Sequence, residues 1–191
     1  YESILGVSSA EALINAIARC RASAEHPRVA AYMAENGLTT SPVAVIVQHL
    51  VEGEASGVLF SSDPSDPDRA LISAAWGLGE GVVQGTVPCD TFRVELSGDV
   101  ESIVAQKDVA ISLVDGAPAE VPVPPSMATE ATLSDSQASA LASLGRALEL
   151  ELGAPQDIEW TRCGDRLILL QSRPITQTMP SGRRLLWDNA N

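Results

Sequence analysis

Aromatic residues make up only 4% of the 191-residue sequence, basic residues number 12 against 25 acidic ones, and cysteines number three. No apolar stretch reaches the ~18 residues needed to cross a bilayer, and no basic-then-apolar leader opens the chain. The shortage of positive charge leaves a formal net charge of −13, which repels nucleic-acid phosphates and anionic lipid over most of the surface. Neither nucleic acid nor membrane is therefore expected as a partner. Any phosphate ligand has to be held by a few local cations or by a metal ion. Cys20, Cys89 and Cys163 are odd in number and far apart, so they suggest neither a disulfide framework nor a zinc site, and a reduced, cytoplasmic setting is expected. The sequence opens on Tyr1, which reads as a fragment of something longer. What it does contain is 45% hydrophobic residues, enough to bury the core of one domain or two small ones.

Ser8 followed by Glu11 reads as a capping box opening an amphipathic helix from Ser8 to about Ala24, with Leu13, Ile14, Ile17 and Ala18 on its apolar side. Pro27 suits the first position of a second helix ending near Gly37. The run "PVAVIVQHLV", Pro42 to Val51, is dense in β-branched residues and predicts a strand covered on both faces, interrupted only by Gln48. Such an amide is either satisfied by backbone or faces a ligand cavity. Further strands are predicted in "GVLFSSDP", "ALISAA", "DTFRVEL" and "ESIVAQKDVAISL", and the proline-rich piece from Ala117 to Pro125 reads as a surface loop. Ser134 with Gln137 opens the best helix, carrying Leu141, Leu144, Leu148 and Leu152 and stopping at Gly153 and Pro155. Two last strands follow, "QDIEWTRC" and "RLILLQSRP". The fold class is α+β, with strands in antiparallel runs and flanking helices.

The last two strands turn polar at one end. With period two, Leu167, Leu169, Gln171 and Arg173 share a face of one, and Asp157, Glu159 and Thr161 share a face of the other. A plain two-residue turn at Gly164–Asp165 would put Glu159 and Gln171 on opposite faces, so they meet only through an odd loop length or a bulge. If they meet, a carboxylate and an amide oxygen make hard ligands for Mg²⁺, and Arg173 can grip a phosphate bidentately. Asp157 is then an alternative ligand or supports the others. A salt bridge between Glu159 and Arg173 at a sheet edge is the plainer alternative.

"QDIEW" followed by "LLQSRPIT" resembles the end of the ATP-binding domain of the family of pyruvate phosphate dikinase, phosphoenolpyruvate synthase and rifampicin phosphotransferase. "VQHLVEGEASGVLFSSDP" and "AAWGLGEGVVQGTVPCDTF" resemble the middle of that domain, and the likeness runs in order from about Tyr1 to Thr176. It implies an ATP-grasp fold, here without its N-terminal lobe, over residues 1–176, and a linker over 177–191 toward an acceptor-binding domain. It also implies ATP and Mg²⁺ as cofactors. Gln48 would lie near the adenine or ribose, Glu159 and Gln171 would bind Mg²⁺, and Arg173 would bind phosphate as the catalytic cation. Glu80 in "GLGE" would lie in a loop near the cleft. Lys107 reads as a surface or structural lysine.

In that family, Mg·ATP phosphorylates a histidine on a swivelling domain, which passes the group to pyruvate or another small acceptor. Only His26 and His49 occur here, and both read as structural. The resemblance therefore implies the nucleotide-binding part of such an enzyme, inactive alone. The alternatives are a rifampicin phosphotransferase-like, antibiotic-inactivating enzyme, a non-catalytic nucleotide-binding module, or a carboxylate–amine ligase of the same fold.

Overall fold

The structure, a computed structural model, describes residues 2–35 and 44–175. It divides into two compact units, one formed by the described residues up to Leu50 together with Leu113–Ala119, the other by Val51–Ser112 and the described residues from Glu120 on.

In the first unit, helix α1 spans Ala10–Ala22 and helix α2 spans Pro27–Glu35, with a single 3-10 turn, Ser23–Glu25, between them. The cap of α1 is Ser9 and not Ser8: its side chain accepts from the Ala12 N–H, at a position held by alanine, so the cap stands without the reciprocal glutamate of a capping box. Two adjacent serines are chemically equal candidates, and only the backbone geometry chooses between them. Glu11 instead sits in the first turn, where the helix dipole favours a negative charge. The expected apolar stripe is not a core face, since Ala16 is the one buried residue of α1 and Ile14 is 69% exposed. Pro27 opens α2 as predicted; Gly37 lies outside the described residues.

The strand expected over Pro42–Val51 is not observed in its described part; Pro42 and Val43 lie outside the described residues. Residues 44–53 are coil, and Ile46 is 86% exposed. A β-branched run signals compatibility with a pleated, covered surface, but it becomes a strand only when a neighbour supplies the ladder. Among the described residues no strand pairs with it.

The second unit is built on a six-stranded antiparallel sheet. Its strands are β1 (Ala55–Phe60), β2 (Arg69–Trp76), β3 (Asp90–Glu95), β4 (Val100–Ile103), β7 (Gln156–Cys163) and β8 (Arg166–Pro174), in the order β4-β3-β2-β1-β7-β8. A single helical turn, α3 (Glu80–Val83), follows β2. Strands β5 (Val109–Val114) and β6 (Ala117–Pro122) form a separate two-stranded sheet. That hairpin overturns the loop expected over Ala117–Pro125. Asp115 and Gly116 have φ of 52° and 80°, the left-handed pair that an Asp-Gly hairpin turn requires. Proline is tolerated on an edge strand, where its missing N–H removes no ladder bond.

One face of the large sheet is covered by helix α4 (Asp135–Leu152), which opens with the full Ser134–Gln137 capping box and ends at Gly153 with φ of 74°. Leu59, Ile72, Phe92, Ile158 and Trp160 from the sheet are buried against Ala138, Leu141 and Ala142. Fully burying each large side chain contributes about 1.5–3 kcal/mol. The leucine stripe read from sequence docks only in part: Leu141 is buried and Leu148 packs against the core, Leu144 and Leu152 are exposed, and Ala138, Ala142 and Gly145 complete the contact face. Small residues let the helix axis come close to the sheet. A Cβ on Gly145 would stand 2.6 Å from Leu59 Cδ2.

Candidate functional site

Strands β7 and β8 are joined by the two-residue turn Gly164–Asp165, with Cys163 paired to Arg166. Continued unbroken, that register would set Glu159 opposite Leu170 and send Gln171 and Arg173 to the α4 side. A bulge intervenes. Trp160 pairs with Leu169 but Glu159 pairs with Gln171, leaving Leu170 as the extra residue. Beyond it Asp157 pairs with Arg173. Asp157, Glu159, Gln171 and Arg173 therefore stand together on the face away from α4, at the edge formed by β8. The condition set by sequence parity is met by the bulge, while the turn is the plain two-residue one.

The polar strip runs on along β7 to Thr161, which is buried, with its Oγ1 2.8 Å from Ser56 Oγ on β1. Next to Glu159 across the β1 side lies Val58, and next to Asp157 lies Phe60. The four charged or amide groups thus border a partly apolar surface.

Arg173 is held mainly by Asp157. Its Nε donates to Asp157 Oδ2 at 3.0 Å, whereas its NH2 is 3.8 Å from Glu159 Oε1. The edge salt bridge weighed from sequence is thus present, with Asp157 as the close partner. Asp157 Oδ1 is buried without a hydrogen-bond partner. Burial pushes the Glu159 carboxyl above its ordinary value; the Arg173 guanidinium opposes the rise and the Asp157 carboxylate adds to it. Two carboxylates near each other, one with an unmet oxygen and the other desolvated, together with the Gln171 amide, form a hard-oxygen donor set whose one nearby positive charge in these interactions is Arg173. Carboxylate and amide oxygens are the donor type that hard divalent cations accept. Among the described residues no group of three or more His, Cys, Asp or Glu side chains gathers, so a cation here would rely on the amide and on oxygens from water or ligand.

The other sequence candidates fall elsewhere. Gln48 lies in the coil of the first unit and is exposed, as is His49 beside it, and His26 is exposed in the turn before α2. Glu80 accepts from Gln84 Nε2 at 2.9 Å, a local pairing one helical turn apart. Lys107, the one lysine of the sequence, is not on the surface: it is fully buried, and its Nζ donates to Asp90 Oδ1 at 2.6 Å and to the Ala105 carbonyl at 2.9 Å. Asp90 Oδ2 in turn accepts from the Thr132 backbone and hydroxyl at 2.8 and 2.9 Å. Sequence reasoning missed this knot because Asp90 and Thr132 are 42 residues apart. Cys89, next to it, has its thiol pushed up to about 11, chiefly by burial and also by the Asp90 charge, with Lys107 opposing.

The described part of the chain is an α+β domain with a mainly antiparallel sheet and flanking helices. Residues 1–184 match the family described as pyruvate phosphate dikinase, AMP/ATP-binding domain, and the chain belongs to that family. It is 38% identical to a probable phosphoenolpyruvate synthase of Methanothermobacter thermautotrophicus over 92% of this chain and 26% of that protein. It is also 38% identical to a rifampicin phosphotransferase of Streptomyces sviceus over 94% of this chain and 21% of that protein. With the rifampicin phosphotransferase of Bacillus subtilis the identity is 36%, over 94% and 21% respectively. The chain thus spans about a quarter or less of the length of these curated relatives. No helix among the described residues is long and apolar enough to cross a membrane.

Proposed function

We propose that this chain is the nucleotide-binding part of a longer, cytoplasmic, dikinase-type phosphotransferase with an ATP-grasp fold. Residues 1–176 belong to the nucleotide domain and 177–191 lead toward an acceptor-binding domain. In the complete protein, Mg·ATP phosphorylates a histidine on a swivelling domain, which delivers the group to pyruvate or another small acceptor. The relatives carry both phosphoenolpyruvate synthase and rifampicin phosphotransferase in their names, so the acceptor stays open between these.

The observation that carries this proposal is the gathering of Asp157, Glu159, Gln171 and Arg173 on one face by the bulge at Leu170. The unmet Asp157 Oδ1 and the desolvated Glu159 fit a hard divalent cation. Glu159 and Gln171 would hold Mg²⁺, with Asp157 beside them, and Mg²⁺ when bound neutralises charge on the triphosphate. Arg173 binds phosphate. Its planar guanidinium matches phosphate bidentately and need only turn from the carboxylates toward the ligand. Phosphoryl transfer asks the protein chiefly for positioning and charge neutralisation, so an acidic chain can perform it with one cation and one metal. Gln48 is proposed for the adenine or ribose end of the nucleotide.

Glu159→Ala in the complete protein tests this directly. ATP-dependent phosphorylation of the protein's own histidine should be lost while the far-ultraviolet circular dichroism and melting temperature stay near wild type. Unchanged phosphorylation would remove the metal assignment.

A further inference from the structure

Strand β8 closes the sheet and, among the described residues, has a neighbour on one side only. The bulge shifts its register immediately before Gln171, so residues 171–174 follow a new register against Gln156–Glu159, which the Ile175 N–H extends by donating to the Pro155 carbonyl at 2.8 Å. Ser172 sits between Gln171 and Arg173 and points to the opposite face by strand alternation. Its Oγ donates to Gln156 Oε1 at 2.8 Å.

Gln156 is itself anchored. It is 1% exposed, its Nε2 donates to the Ala154 carbonyl at 2.7 Å, and its backbone N–H donates to Ser61 Oγ at 2.8 Å. The Ser61 N–H donates to the Gln156 carbonyl at 2.9 Å, and Ser61 Oγ donates to Glu149 Oε2 on α4 at 2.6 Å. A chain of hydrogen bonds thus runs from the helix through the end of β1 and the start of β7 to the one residue flanked by Gln171 and Arg173. The polar groups along it are mutually satisfied, which favours one arrangement over nearby ones.

We infer that Ser172 and Gln156 are positioning residues, which hold the tail of β8 so that Gln171 and Arg173 project at a fixed height above β7. This rests on the proposal that those two side chains bind Mg·ATP. The segment after the bulge is paired to β7 as one register block, so a shift of that block moves both ligand-binding side chains together. Displacements of about 1 Å in a phosphoryl-transfer site cost up to ~100-fold in rate. Loss of one hydrogen bond at a strand end changes stability by only about 1 kcal/mol. The two consequences are therefore separable.

The test uses the complete protein and compares Ser172→Ala, Ser172→Thr and Arg173→Ala for KM of Mg·ATP, kcat and melting temperature. Ser172→Ala is expected to raise KM about tenfold with the melting temperature within about 3 °C of wild type. Ser172→Thr, which keeps the hydroxyl, is expected to restore KM to within about twofold. An unchanged KM in Ser172→Ala, or a KM in Ser172→Thr as poor as that of alanine, overturns the positioning role. Arg173→Ala tells which layer failed. If it raises KM while Ser172→Ala does not, positioning alone is wrong; if Arg173→Ala is also silent, the nucleotide assignment falls with it.

Discussion

Glu159→Gln should make the ligand-free protein more stable at neutral pH while removing metal-dependent nucleotide binding. The substitution keeps the shape and one acceptor oxygen and deletes the charge. Glu159 has a side chain 29% exposed, and its folded-state carboxyl lies above the ordinary value of 4.5 because desolvation outweighs the attraction of Arg173 at 3.8 Å. The sign follows from linkage. Where the folded pKa is the higher one, the folded state holds a proton that the unfolded state has released, so ionised Glu159 opposes folding. That penalty is absent below the ordinary value, grows as pH rises through the window up to the raised folded value, and is complete above it. The Asp157–Arg173 bond survives the substitution, so little attraction is lost. A half-exposed pair of this kind is worth up to about 1 kcal/mol. That attraction, which the substitution gives up, is the most that can offset the relieved desolvation, so a net gain is expected at pH 7, read as a melting temperature above that of wild type. Calorimetric melts at pH 7 and pH 4, without Mg²⁺ or nucleotide, read it out. Wild type and variant should differ at pH 7 and converge at pH 4. A variant that melts below wild type at pH 7 would show that the ion pair with Arg173 outweighs desolvation and that the residue serves stability.

Deleting Leu170 should leave Gln171 opposite Glu159 and Arg173 opposite Asp157 while healing the ladder; nucleotide affinity measured by calorimetry should then stay within about tenfold of wild type, and its disappearance would mean that the bulge geometry matters beyond the choice of face. Lys107→Met leaves the buried Asp90 carboxylate without its cation and should cost about 3–5 kcal/mol in denaturant unfolding, with Asp90→Asn added to it recovering a large part; a loss below ~1 kcal/mol would contradict the buried pair. Gly145→Val forces side-chain atoms into Leu59 and should destabilise by about 1–3 kcal/mol, an effect that Leu59→Ala in the same chain should partly relieve in thermal melts. Cys89, with its thiol pushed up to about 11, should alkylate slowly in the folded protein at pH 8, followed by peptide mass analysis; labelling as fast as in denaturant would refute its burial.

The parts legible in the sequence are those where local chemistry decides. The Ser134–Gln137 box, the Gly153 stop and Pro27 at a helix start each depend on neighbouring backbone groups, and each is found where the residues predict. Period-two parity on β7 and β8 identified which side chains could share a face and named the irregularity that would let them do so. The misses share a cause: they depend on partners remote in the chain. "PVAVIVQHLV" has the composition of a strand without a ladder neighbour among the described residues. Of the α4 leucines only Leu141 and Leu148 reach the core, because the helix approaches the sheet through the face that also bears the small residues Ala138, Ala142 and Gly145. Of the two readings of Lys107, surface or structural, the structural one holds, but its place in the core was hidden because Asp90, which pairs with it, and Thr132, which donates to Asp90, come from distant segments. The Asp115–Gly116 turn was legible and was outweighed by the prolines around it. Ser172 was equally legible, because alternation sends it away from Gln171 and Arg173 and toward the face that carries Gln156.

The central claim is tested most directly by crystals of the complete protein with Mn²⁺ and a non-hydrolysable ATP analogue. The anomalous difference map should place the metal within coordination distance, about 2–2.5 Å, of a Glu159 carboxylate oxygen and the Gln171 amide oxygen, with Arg173 turned onto a phosphate. Metal found elsewhere, with Arg173 still bound to Asp157, would contradict it.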